Sequence, residues 1–133
     1  MLEIQHLSAG YGQATEVLAD VSLNVGEGTV TALMGRNGAG KTTLCRAILG
    51  LVRPLGGDVW FAGENLTGLS TQHIARRGVA YVPQGREIFG RLTVEENLRV
   101  ASRGVSGGGR IEKTWDWFPA LHPLRRRAAG RLS

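Results

Sequence analysis

Sulfur, lysine and long apolar runs are all scarce in this chain, and each scarcity removes a class of function. Cys45 is the single cysteine among 133 residues, so no internal disulfide can form; within a helical stretch it reads as a small buried hydrophobe. His6, His73 and His122 share no metal-ligand spacing. No apolar run approaches the roughly 20 residues that cross a bilayer, and Met1-Leu2-Glu3-Ile4-Gln5 has neither the basic flank nor the apolar stretch of a secretory signal. The expected location is therefore the cytosol. Aromatic residues are only 6% of the chain, and none is interleaved with Arg125, Arg126, Arg127 and Arg131. That basic run reads as a solvated helix face, with a nucleic-acid or lipid-headgroup patch as the alternative. What remains is a globular composition, 42% hydrophobic with a net charge of +5, at a length that suits one domain.

Only two of the sixteen basic residues are lysines, and one of them closes the run Gly35-Arg36-Asn37-Gly38-Ala39-Gly40-Lys41-Thr42. This is the G-x-x-x-x-G-K-[ST] spacing of a phosphate-gripping loop, whose ligand is a nucleotide polyphosphate with Mg²⁺. Glycines let backbone N–H groups turn inward toward a phosphate, and Lys41 adds a mobile point charge. A helix expected from about Gly40 directs its positive end at the phosphates, with the Thr42 hydroxyl placed for Mg²⁺ and Thr43 toward the α-phosphate side. The residue frequencies of this chain give a chance match of roughly 1 in 200. Context strengthens the reading: Thr29 to Met34 is a β-branched and apolar run that reads as a buried strand, and Leu44, Ile48 and Leu51 follow at helical spacing.

Elsewhere, Leu2 to Leu7 and Val21 to Val25 alternate apolar with polar residues, as strands of an antiparallel layer do, and Gly26-Glu27-Gly28 supplies a turn. Leu55-Gly56-Gly57 reads as punctuation before a short strand Asp58 to Phe61. A helix is expected from an N-cap at Ser70 through Arg77, closed by Gly78. Val79-Ala80-Tyr81-Val82, stopped by Pro83, suits a central parallel strand opening into a functional loop. Thr93-Val94-Glu95-Glu96 is a capping box that starts a helix at residue 94. Residues 102 to 110 read as a glycine-rich loop, Val105 to Gly109 included, and Ile111 to Phe118 resumes a helical pattern that Pro119 and Pro123 interrupt.

With the phosphate loop, the upstream antiparallel strands and a Gln after the next parallel strand together, the chain resembles the ATP-binding subunit of ABC transporters over essentially its whole length. The run Val82 to Leu98 resembles the branched-chain amino acid and urea uptake branch, closest to urea-type members. The resemblance implies ATP and Mg²⁺ as ligands. It implies that Tyr11, in Ala9-Gly10-Tyr11-Gly12, stacks on adenine, and that Gln84 approaches Mg²⁺ and the attacking water. Its implied partners are two membrane-spanning permease subunits, a second ATPase subunit and, indirectly, a periplasmic solute-binding protein; no nucleic acid is expected. The implied fold is the N-terminal portion of an α/β phosphate-loop ATPase: an antiparallel β layer, a partial parallel core sheet and the start of a helical subdomain. Residues 1–93 would form the nucleotide-binding core and 94–133 the helical start.

The family's L-S-G-G-Q signature, its apolar strand ending in Asp-Glu and its switch histidine have no counterpart here. The expectation is an N-terminal fragment that keeps half a site, with hydrolysis little or none by itself, held on the inner face of the cell membrane in the complete assembly. A GTPase would need N-K-x-D, which is missing, and the paired cassettes or zinc insertions of translation and repair ATPases are not visible. A non-catalytic fragment with a regulatory or nucleic-acid-binding role is the alternative.

Overall fold

The computed structural model describes residues 1–12, 15–85, 87–102 and 111–132. Compactness divides the chain into two units, Met1–Val79 and Ala80–Ser133, ahead of the 93/94 division drawn from the sequence.

In the first unit the two alternating segments pair as an antiparallel hairpin, β1 (Leu2–Tyr11) with β2 (Thr15–Val25), from Leu2 opposite Val25 to Tyr11 opposite Thr15. β3 (Pro54–Phe61) lies antiparallel on the other side of β1, and the short β4 (Glu64–Asn65) extends it, giving the order β2-β1-β3-β4. Leu55-Gly56-Gly57 is therefore strand rather than punctuation. Gly57 sits at φ 78 within β3, and a Cβ there would lie 2.2 Å from the His6 carbonyl oxygen, so the close approach of the two strands requires glycine.

One face of this sheet carries Ile4, Leu7, Ala9, Leu18 and Val59, packed with Leu44 and Ala47 of α1 (Lys41–Ile48) and Ile74 of α2 (Thr71–Arg76). Full burial of a large aliphatic side chain contributes about 1.5–3 kcal/mol. Ile4, Leu7, Val59, Leu66 and Ile74 are all fully enclosed, so these five hold the unit together. α1 ends earlier than the apolar spacing suggests: the Gly50 N–H donates to Ala47 O and the Leu51 N–H to Arg46 O, with Gly50 at φ 68. Leu51 thus falls beyond the helix and is 55% exposed. Ser70 occupies the N-cap of α2, but its hydroxyl joins the His73 imidazole at 2.7 Å instead of a backbone N–H.

Three adjacent strands carry left-handed backbone at one level, His6 (φ 50) in β1, Asp20 (φ 51) in β2 and Gly57 in β3, and the pairing register shifts there in both ladders. These are β-bulges in a row across the sheet.

The expected parallel core does not form among the described residues. Residues 29–34 and 79–82 enter no sheet, and Val30 and Val82 are fully or nearly fully exposed. Apolar and β-branched composition marks a segment fit for a parallel sheet, but a strand exists only through its ladder to a neighbour.

In the second unit α3 (Val94–Ser102) starts where the capping box places it. The Thr93 N–H and hydroxyl both donate to Glu96 Oε2, at 2.7 and 2.8 Å, and the Glu96 N–H donates back to Thr93 Oγ1. The remaining first-turn donors find the arginine run: the Val94 N–H donates to Arg127 O and the Glu95 N–H to Arg125 O. Arg125 to Arg127 form a turn between two 3₁₀ segments, Pro119–Leu124 and Ala129–Arg131, not the expected helix face. Their carbonyls serve as the cap of α3 while the side chains of Arg126 and Arg127 stay exposed. α4 (Ile111–Trp117) matches the resumed helical pattern. The expected loop Val105–Gly109 and Arg86 lie outside the described residues.

Candidate nucleotide-binding site

The loop from Gly35 to Ala39 is exposed and runs directly into α1, with Gly40 at the N-cap. Its curvature comes from two left-handed glycines, Gly38 (φ 83) and Gly40 (φ 89), and from a turn closed by the Ala39 N–H on Arg36 O. The Lys41 ammonium folds back over the loop and donates to the carbonyls of Gly35 and Arg36, at 2.7 Å each. The lysine of the loop is thus held against the loop's own backbone. Asn37 and Gly38 form the turn of this loop, and Ala39 and Gly40 bend it into the helix.

The site fits a polyphosphate on three observations. The first N–H groups of α1 have no intrahelical acceptor, and the first turn contains no carboxylate to compete for them. Gly40 is enclosed beneath the loop, where a Cβ would come within 2.7 Å of Leu18 Cδ2, so β2 and the loop close against each other only around glycine. Thr42 is exposed on the open side, so its hydroxyl is available to a hydrated cation, while Thr43 is buried. Mg²⁺ commonly takes one or two protein oxygens and completes its shell with phosphate and water, which a lone threonine hydroxyl suits.

Tyr11, at the end of β1, is brought to the same helix. Arg46 Nη1 donates to the Tyr11 hydroxyl at 3.3 Å. Hydrogen bonds from Thr43 and then from Arg46 hold the phenol below its ordinary pKa. The ring is half exposed, so one end is tethered to α1 and a face remains open. Arg46 escaped the sequence reading; its position three residues beyond Thr43 on α1, one helical turn on, was the available signal.

Gln84 belongs to the second unit and is exposed on the loop that precedes α3. That loop is organised by a residue the sequence reading gave no role. Asn97 accepts from the Phe89 N–H at 2.9 Å and donates to the carbonyls of Phe89 and Thr93 at 3.1 and 2.9 Å. Such bracketing holds Ile88 and Phe89 at the rim of an apolar groove of about 490 Å³, whose floor includes Val94, Leu98 and Leu121. An asparagine four residues after a capping threonine was the only trace of it in the sequence.

A glycine loop, a lysine held against it and the N-terminus of a helix follow one another in the first unit, the order found in phosphate-loop nucleotide-binding proteins. The model of the ABC transporter family matches residues 18–133, and the chain belongs to that family. It is 38% identical over its whole length to a probable branched-chain amino acid transport ATP-binding protein, LivF, of Archaeoglobus fulgidus, of which it covers 57%. It is 37% identical to the high-affinity branched-chain amino acid transport ATP-binding protein BraG of Pseudomonas aeruginosa, of which it covers 58%. Among solved structures, the ADP conformation of an ATP-binding cassette of an ABC transporter superposes with a TM-score of 0.81 at 27% identity, covering all of this chain and 59% of that one. The chain thus spans somewhat more than half the length of the relatives it matches. Among the described residues, no helix is long and apolar enough to cross a membrane.

Proposed function

We propose that this chain carries the ATP-gripping part of a subunit that couples ATP binding and hydrolysis to solute import through an ABC permease. The observation that carries the reading is the cradle itself: left-handed Gly38 and Gly40 with the Lys41 ammonium held over them at the head of α1. Lys41 would exchange its two loop carbonyls for phosphate oxygens, the loop and first-turn N–H groups of Gly38 to Thr43 would donate to the same anion, and Tyr11 would offer its open face to the base. Thr42 would hold Mg²⁺, which would supply charge neutralisation at the bound phosphates. A second ATPase subunit completes the site, and hydrolysis by the 133-residue chain alone is little or none. The names of the two curated relatives favour a branched-chain amino acid over urea as the solute, reached through the permease and a periplasmic solute-binding protein. The apolar groove beside the bracketed Phe89 loop supports the reading of a permease segment as partner, and with it goes a location on the cytoplasmic face of the membrane.

The test is titration of the chain with a fluorescent ATP analogue and magnesium. Saturable binding is expected, and Lys41→Ala is expected to weaken it by about tenfold or more, the loss of one charge-assisted contact of roughly 1.5–3 kcal/mol. A folded sample that stays empty at millimolar analogue, or a Lys41→Ala variant that binds as the parent does, overturns the reading.

A further inference from the structure

The row of bulges at His6 and Asp20 is built with a symmetry that an accidental irregularity would not have. His6-Leu7-Ser8 and Asp20-Val21-Ser22 face each other across β1 and β2. Each bulged amide, released from the ladder, donates to the serine of the other strand: the His6 N–H to Ser22 Oγ at 2.9 Å and the Asp20 N–H to Ser8 Oγ at 3.2 Å. The two side chains then meet, His6 Nδ1 lying 2.6 Å from Asp20 Oδ1. An ionised carboxylate only accepts, so Nδ1 carries the proton and donates.

This brace has a consequence for the faces of the strands. Leu2 and Ile4 point into the core before the bulge, and Leu7 and Ala9 after it; on β2, Leu18 lies on one side of the bulge and Val21 and Leu23 on the other. Along each chain direction even-numbered inward positions become odd past the bulge, Leu2 and Ile4 giving way to Leu7 and Ala9 on β1 and Leu18 to Val21 and Leu23 on β2. Since strand side chains alternate with a period of two, one inserted residue exchanges the faces of everything beyond it. Tyr11, two residues past Ala9, therefore emerges on the side covered by α1, where Arg46 and Thr43 take its hydroxyl. Without the inserted residue, the same strand would turn Tyr11 away from the helix that follows the phosphate loop.

We propose that His6 and Asp20 are positioning residues for nucleotide binding: their paired bulge fixes the face and register on which Tyr11 is presented to the base of the nucleotide. The proposal rests on the reading of Tyr11 as the base platform. It assigns to His6, Asp20, Ser8 and Ser22 a role in how tightly the base is held, and none in gripping the phosphates.

The experiment compares magnesium ATP with magnesium tripolyphosphate, which has no base, by calorimetric titration of the chain. Stacking on one aromatic ring predicts that the parent prefers ATP by roughly 5- to 150-fold. Tyr11→Ala should reduce that preference to near unity. His6→Val, whose β-branched side chain resists positive φ, should do the same while leaving tripolyphosphate affinity within about twofold. His6→Asn tolerates left-handed backbone and keeps a donor for Asp20, so it should retain the preference and guards against a valine variant that fails to fold. An ATP preference that survives His6→Val but not Tyr11→Ala overturns the positioning role and leaves Tyr11 as the platform. A preference that survives Tyr11→Ala overturns the platform reading and the positioning role with it. Equal loss of both ligands in His6→Val, or loss in His6→Asn as deep as in His6→Val, would mark a merely structural brace and also overturns the proposal.

Discussion

Gly38 and Gly40 both take left-handed backbone, yet they answer to different constraints. A Cβ at Gly38 would meet nothing within 4 Å, so alanine there pays only for its φ, about 1–2 kcal/mol. At Gly40 the same penalty is joined by a collision with Leu18, and overpacking of a core costs about 1–3 kcal/mol more. Gly40→Ala should therefore lower unfolding stability by about 2–5 kcal/mol, and Gly38→Ala by no more than about 2, as measured by urea denaturation of the two variants. Equal losses would show that the Leu18 contact does not matter. The lysine, the glycines and Thr42 of this site were legible in the sequence because their spacing is itself the chemistry. Tyr11 became legible only through a resemblance, since no local pattern says which way a strand-end tyrosine points. Arg46, which tethers it, left only its helical spacing from Thr43, because its role depends on β1 and α1 meeting across 35 residues of sequence.

At the scale of elements, local chemistry was read well wherever the partners lie within a few residues of one another. The capping box at Thr93 and Glu96 formed with both reciprocal bonds, because all its groups lie within one turn. Thr93→Ala removes the acceptor for the Glu96 N–H and should cost about 1 kcal/mol. Glu96 adds a pH signature. The Thr93 N–H first, and then the Thr93 hydroxyl, hold its carboxyl below the ordinary glutamate value. A carboxyl with a depressed folded-state pKa binds its proton more weakly than in the unfolded chain, so its contribution is complete above the unfolded value and is lost as pH falls through the folded one. The melting temperature of the parent should exceed that of Glu96→Gln at neutral pH, and the gap should close on acidification below the ordinary glutamate range. A gap that is constant from neutral to acid would mean that the carboxylate charge plays no part. The bulges, by contrast, were missed: Gln5 and His6 put two polar residues between Ile4 and Leu7, a break in period that reads as an inserted residue only once Asp20 and Gly57 stand beside His6.

Across the whole molecule, charge and apolar exposure are unevenly distributed. Residues 1–79 balance six basic against six acidic side chains, whereas residues 80–133 carry ten against five, so the net charge of +5 belongs entirely to the second unit. The uncovered apolar segments include Val30 in the first unit and Val82 in the second. Both were read as buried strands, since apolarity records what a segment is suited to pack against and not whether a neighbour is there. The distinction is measurable. A buried valine contributes about 1.5–3 kcal/mol, while substitution at an exposed position stays within about 0.5 kcal/mol. Val30→Thr and Val82→Thr should therefore leave the unfolding free energy of the 133-residue chain unchanged within about 0.5 kcal/mol each. They should nevertheless reduce binding of a hydrophobic dye, because each removes a fully presented isopropyl group. Salt sharpens the contrast: screening weakens the repulsion between positively charged second units, so self-association of the parent should rise with ionic strength and fall in the double variant. Destabilisation of more than about 1 kcal/mol in either single variant would mean that these valines are packed in solution, and that the chain pairs its strands by a route its own described residues do not supply.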